Sequence, residues 1–148
     1  MAATAIVLPN VAGYSFDVAP DLSKAEVRRK LSPGALRTFV NIAAKWNLTE
    51  AQARSLLGGV ASSTYHAWRT NPRNRQLDQD TLTRISLAIG ICKALNIYFD
   101  KPLADRWVTL GNRGRMFAGS SPVEYMVRNG LPGMVDVRRM LDAWRGGI

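Results

Sequence analysis

Apolar residues in this chain recur every three or four positions, and no segment shows the strict alternation of a half-buried strand. Ser23-Lys24-Ala25-Glu26 has the form of a capping box, in which a Ser oxygen and a Glu carboxylate satisfy each other's backbone N–H groups. Ser32-Pro33 predicts a second helix start, because proline lacks only an N–H that would be unpaired at that position. Leu36, Phe39, Val40, Ala43 and Ala44 give that helix one apolar face, and Trp46-Asn47 ends it. Thr49-Glu50-Ala51-Gln52 is another capping box, opening a short helix that stops at Gly58-Gly59. A fourth helix runs from about Ser62 to Arg69, and Asn71-Pro72 blocks its continuation. Asp78 or Asp80 caps a long fifth helix with a face of Leu82, Ile85, Ala88 or Ile89, Cys92, Leu95 and Phe99. Asp100-Lys101-Pro102 starts a sixth, with Leu103, Trp107 and Leu110. After a loop over 111–119, Ser121-Pro122-Val123-Glu124 starts a helix that Gly130 ends, and a last helix covers about Pro132 to Trp144. The pattern predicts an all-α bundle. Residues 1–22, punctuated by Pro9, Gly13 and Pro20, read as a flexible N-terminal arm.

Charge changes this picture. The 148 residues carry a formal net charge of +9, and the stretch from Lys24 to Lys93 holds almost all of it. A basic surface of this kind suits a polyanion. Chemistry other than binding has little to work with. There is one His and one Cys, far apart, with no metal-spaced cluster and no phosphate-cradling glycine loop. Asp78, Asp80, Asp100 and Asp105 sit at helix starts, where capping explains them. No catalytic residue, metal ligand or cofactor is expected. Cys92 lies in an apolar stretch and reads as a buried structural thiol. No secretion signal is visible, and Ile85 to Phe99 is too short to span a bilayer, so a cytoplasmic location is expected.

The segment from Thr49 to Arg69 has the layout of a helix-turn-helix. Ser55 is the small residue of the first helix, Gly58-Gly59 the turn, and Val60 the apolar plug. Thr64 is expected to face outward and Trp68 inward, with Trp68, Leu57, Val60, Ile85 and Leu95 buried together. Ser62, Ser63, Thr64, Tyr65 and His66 then present short polar groups at a helix N-terminus, suited to base edges and phosphates. Arg54, Arg69, Arg73 and Arg75 would grip the DNA backbone.

The run Leu56 to Arg69, with Leu82 to Leu95, resembles the Xre-like helix-turn-helix of the MbcA/ParS/Xre antitoxin family. Trp107, Asn112, Phe117, Gly119, Ser121, Pro122, Gly130 and the segment Val135 to Gly146 resemble the family's C-terminal toxin-binding pattern. The loop Gly111 to Arg115 departs from it, being short and carrying extra Arg. The resemblance implies a DNA-binding domain over 23–99 and a toxin-binding domain over 100–148. It implies an antitoxin that blocks a RES-domain, NAD-consuming toxin and represses its own operon. The residues expected to meet the toxin are Trp107, Asn112, Arg115, Phe117, Ser121, Pro122, Trp144, Arg145 and Ile148. Exposed apolar groups are expected around Phe117, Met134 and Met140, suiting a protein partner. Operator DNA and a homodimer complete the expected assembly. The alternative is a stand-alone helix-turn-helix repressor whose C-terminal part binds a small ligand or mediates dimerisation. A pure interaction protein without DNA binding is a third reading.

Overall fold

A computed structural model describes residues 20–145. Six helices follow one another: α1 (Ala25–Lys45), α2 (Glu50–Leu56), α3 (Ser62–Thr70), α4 (Gln79–Tyr98), α5 (Lys101–Arg106) and α6 (Pro122–Arg145). A 3-10 turn, Trp107–Thr109, follows α5, and the described residues contain no strand. Residues 1–19 of the expected arm lie outside this description.

Two local expectations at the start of the chain are corrected. Lys24 occupies the N-cap of α1 without a side-chain cap. Asp21 instead captures Ser23, whose backbone N–H and hydroxyl both donate to the Asp21 carboxylate, an Asx-type turn. Ser32-Pro33 does not begin a helix, because α1 runs through it. Ser32 is fully buried, its hydroxyl donating to the Arg28 carbonyl at 2.6 Å and accepting the Leu77 N–H at 2.9 Å. A residue that reads as a cap is therefore an internal link between α1 and the segment before α4.

The long helix α4 lies between α1 and α6 and packs against both. It therefore buries Ile91 and Ala94 as well as the expected Leu82, Ile85, Ala88 and Leu95. A helix covered on two sides loses the single apolar stripe that sequence periodicity detects. Cys92 and Phe99 are only half-buried, correcting the expectation of a fully buried thiol. Burial still pushes the Cys92 thiol pKa up. Gly90 provides the close approach between α4 and α6, for a Cβ there would collide with the Arg138 guanidinium.

Asp78 caps α4, its carboxylate accepting the Thr81 N–H at 2.7 Å. Hydrogen bonding from Thr81 holds this carboxyl below the usual aspartate range. A depressed folded-state pKa adds stability above the unfolded value, and that stability disappears as pH falls through the folded one. Asp78→Ala is expected to cost about 0.5–2 kcal/mol at neutral pH. In urea titrations the gap between variant and parent should close in acid.

The C-terminal third is built on a sharp corner. Gly130 interrupts α6 with φ 64° and ψ −146°. Tyr125 donates its hydroxyl across the corner to Asp136 Oδ2 at 2.8 Å, and this bond raises the phenol pKa. No atom lies within 4 Å of a Cβ added at Gly130, so substitution there tests backbone strain alone. Gly130→Ala should destabilise by about 1–3 kcal/mol, the cost of a side chain in a region nearly reserved for glycine. Thermal melts of the pair check it.

One apolar core runs through the described residues, from Leu36 and Phe39 to Met134 and Leu141. The first helix of the turn motif, α2, packs directly on α6.

Candidate DNA-binding and partner-binding surfaces

The expected capping box at Thr49 forms in full. Thr49 Oγ1 accepts the Gln52 N–H at 3.1 Å, and the Thr49 N–H donates to Gln52 Oε1 at 2.9 Å. After α2 the chain turns through Gly58 (φ 100°) and Gly59 (φ 84°), two left-handed residues in succession. Gly58 also lies beside the Arg84–Asp80 ion pair of α4, which a Cβ there would meet at ordinary contact distance. The buried small residue of α2 is Ala53, whereas Ser55 is half-buried.

Arg54, expected to hold phosphate, is half-buried, and its Nε donates to the Val60 carbonyl at 2.8 Å. This bond braces the turn. Ser62 similarly donates its hydroxyl to Glu50 Oε1 at 2.7 Å, tying the start of α3 to the start of α2. That bond, with support from Arg69, Arg54 and His66, keeps the Glu50 carboxyl ionised below its usual range.

The inward residue of α3 is Tyr65, which is buried. This corrects the expectation that it is exposed to bases, and it also corrects the register. Trp68, expected at the centre of the core, is half-buried at its edge, as is Val60, while Leu57, Ile85 and Leu95 are buried as expected. Burial pushes the Tyr65 phenol pKa up, and the Arg69 guanidinium stacks over its ring, 5.1 Å from the centroid. Thr64 is half-buried beside it. The outward face of α3 consists of Ser62, Ser63, His66 and Arg69, followed by Arg73. Arg75 is half-buried with its Nε on the Asn71 carbonyl at 3.0 Å.

In the C-terminal part, an aromatic chain replaces the expected exposed anchors. Tyr98 meets Trp144 edge-on at 5.9 Å, Trp144 meets Trp107 at 6.3 Å, Trp107 meets Phe117 at 5.8 Å, and Phe117 meets Tyr125 at 5.5 Å. Trp107, Phe117 and Met134 are buried, and Met140 is half-buried. The expectation of exposure at Phe117 and Met134 is therefore corrected: large apolar residues at a helix corner fill the corner first. Ser121 and Pro122 are buried too. Ser121 completes the expected capping box, its Oγ accepting the Glu124 N–H at 3.2 Å while its own N–H donates to Glu124 Oε2 at 3.1 Å. Asn112 is half-buried and holds its loop shut, its Oδ1 accepting the Gly114 N–H at 2.7 Å. Arg115 is exposed. Trp144 is 44% exposed although its ring meets both Tyr98 and Trp107. The Arg145 side chain and Ile148 lie outside the described residues. Leu103 and Leu110, which the sequence places on the sixth helix with Trp107, are exposed, as are Ile97 and Val127, which no sequence signal singles out as surface residues.

No described helix is long and apolar enough to cross a membrane.

Comparison with known proteins adds two adjoining matches. Residues 26–90 match the family model of the antitoxin Xre-like helix-turn-helix domain. Residues 94–147 match that of the antitoxin Xre/MbcA/ParS C-terminal toxin-binding domain. A relative from Sinorhizobium fredii (strain NBRC 101917 / NGR234), the uncharacterized protein y4oB, is 34% identical over 116 residues. The alignment covers 78% of this chain and 87% of that one.

Proposed function

The chain belongs to the Xre/MbcA/ParS antitoxin family, and from that premise we propose that it neutralises a RES-domain, NAD-consuming toxin and represses its own operon. The single observation that carries the reading is the pairing of the two matches on one structure. An exposed polar and basic α3 face stands on the residues of the first, and exposed apolar residues including Trp144 stand on those of the second.

The two activities belong to different surfaces. Ser62, Ser63, His66, Arg69 and Arg73 meet operator DNA, with Thr64 at the margin. Arg54, Tyr65 and Arg75 hold α3 and its flanking loop in place. Trp144, Arg115, Arg145 and the tail through Ile148 meet the toxin. Trp107, Asn112, Phe117, Ser121 and Pro122 shape that surface from beneath. The division at residue 99 is one of function, for α4 belongs to the core of both parts. Helix-turn-helix proteins that read two-fold operators act as pairs. The open apolar groove of about 370 Å³ between α1 and α4, lined by Leu22, Leu31, Ala35, Leu82, Ile85 and Ile89, offers a second copy a surface to bury. The assembly works in the cytoplasm, where operon and toxin both are.

The test is co-expression with the toxin encoded beside the gene, with cellular NAD as the readout. Toxin alone should deplete NAD, the full chain should restore it, and the two proteins should co-purify. Trp144→Asp should abolish both effects while the chain stays folded. Undiminished NAD with the toxin alone would remove the RES assignment. Full protection by a folded Trp144→Asp variant would remove this surface from the interface. Point variants are needed because α6 rests on both α2 and α4, so truncation exposes core.

A further inference from the structure

The DNA-binding residues so far named all follow the start of α2, yet α1 shares a groove with α3. The groove has a volume of about 280 Å³, with Leu36 and Val40 on its α1 side and Trp68 and Pro72 opposite. Its polar groups are Arg37 and Asn41 of α1 and Arg69 of α3. Arg37 and Asn41 are exposed and lie four residues apart, on one face of α1. No carboxylate lines the groove. Among the described residues neither Arg37 nor Arg69 forms an ion pair, and Glu50 of α2, which Arg69 helps keep ionised, accepts the Ser62 hydroxyl.

We infer that this groove seats a phosphate of the DNA backbone, with Arg37 and Asn41 as additional contacts supplied by α1. The inference rests on the proposed reading of α3 as the DNA-facing helix. Two guanidinium groups, neither in an ion pair among the described residues, face one concavity, and a guanidinium matches phosphate oxygens with paired N–H donors. The Asn41 amide adds a neutral donor. Arg69 is held on the Tyr65 ring, so one side of the seat is fixed before DNA arrives. The groove opens beside the exposed face of α3, where the backbone flanking a base-reading helix must pass. A contact to phosphate positions the protein and carries no sequence information. This pair therefore sets affinity for any duplex, and α3 sets the choice among duplexes.

The test measures binding of the full chain to its own upstream DNA and to a scrambled duplex of equal length, over a range of salt. Arg37→Gln should weaken both complexes several-fold and equally, and should reduce the slope of log K against log salt by about one. Asn41→Ala should weaken both without changing the slope. Arg29→Gln, on α1 but away from the groove, is the control for net charge and should leave the slope nearly unchanged. All three positions are exposed, and unchanged melting curves confirm that folding is spared. A slope loss as large in Arg29→Gln as in Arg37→Gln would overturn the seat, leaving only a diffuse charge effect. Weakening confined to the upstream DNA would also overturn it, making Arg37 a reader of bases. Normal binding by Arg37→Gln, alongside loss in Arg69→Ala/Arg73→Ala, would overturn the groove and leave the α3 reading intact. A parent protein with no salt-dependent affinity for either duplex would overturn the α3 reading first and the groove with it.

Discussion

Trp107→Ala is expected to lose about 3–5 kcal/mol of stability, the range for truncating a buried Trp. Trp107 is 7% exposed and stands in the middle of the aromatic chain, edge-on to Phe117 on one side and to Trp144 on the other. Its removal breaks the aromatic chain between Trp144 and Phe117. For a small domain whose total stability is about 5–15 kcal/mol, that loss takes a large fraction. Toxin binding will fall as well, and a binding assay alone would mistake a core residue for a contact. Trp144→Ala separates the two cases. With 44% of Trp144 already in solvent, it should cost markedly less stability while removing a large exposed aromatic from the proposed interface. Urea unfolding beside toxin capture reads both quantities. Equal loss of stability in the two variants would show that the chain of rings acts only as core.

The double variant Arg69→Ala/Arg73→Ala should bind every DNA sequence more weakly. Both arginines are exposed, and neither takes part in an ion pair among the described residues. If each phosphate contact is worth about 1.5 kcal/mol, affinity falls on the order of a hundredfold. The slope of log K against log salt should fall by about two, since two fewer counterions are displaced. Arg69 has a second attachment, its stacking on Tyr65, so a small loss of stability accompanies its removal and melting curves must be taken in parallel. Unchanged binding would remove this face of α3 from the DNA interface.

Signals confined to a few neighbouring residues were the legible ones. The capping boxes at Thr49 and Ser121, the cap at Asp78 and the breaks at Gly58-Gly59 and Gly130 depend on backbone geometry within one turn, and the structure realises each of them. Ser32-Pro33 carried the same kind of signal, but the partner that decides its role is Leu77, which no local pattern points to. The orientation of α3 slipped by one turn-position because the doubled glycine leaves the entry angle open. Tyr65 turned inward where Trp68 was expected, and with it the Tyr hydroxyl left the candidate DNA surface. In the C-terminal part, apolar residues were visible while their burial was not. Phe117 and Met134 are buried, Phe117 between the rings of Trp107 and Tyr125, a consequence of tertiary geometry alone. Arg54 shows a related limit, since the charge was legible but its bond to the Val60 carbonyl was not.

The bond between Ser32 and the Leu77 N–H joins positions 45 residues apart and encloses α2 and α3 between its ends. Those helices have 7 and 9 residues, below the length at which an isolated helix persists in water. Their order is therefore borrowed from the helices that clasp them. Closing so long a loop carries an entropic cost before α2 and α3 can repay any of it. On a ribosome, a nascent chain that has emerged only as far as Arg75 holds every residue of the turn motif and still lacks a surface that can recognise DNA. That surface awaits helices made after it, α4 docked on α1 and α6 packed on α2, so the turn motif matures only once these later helices have emerged.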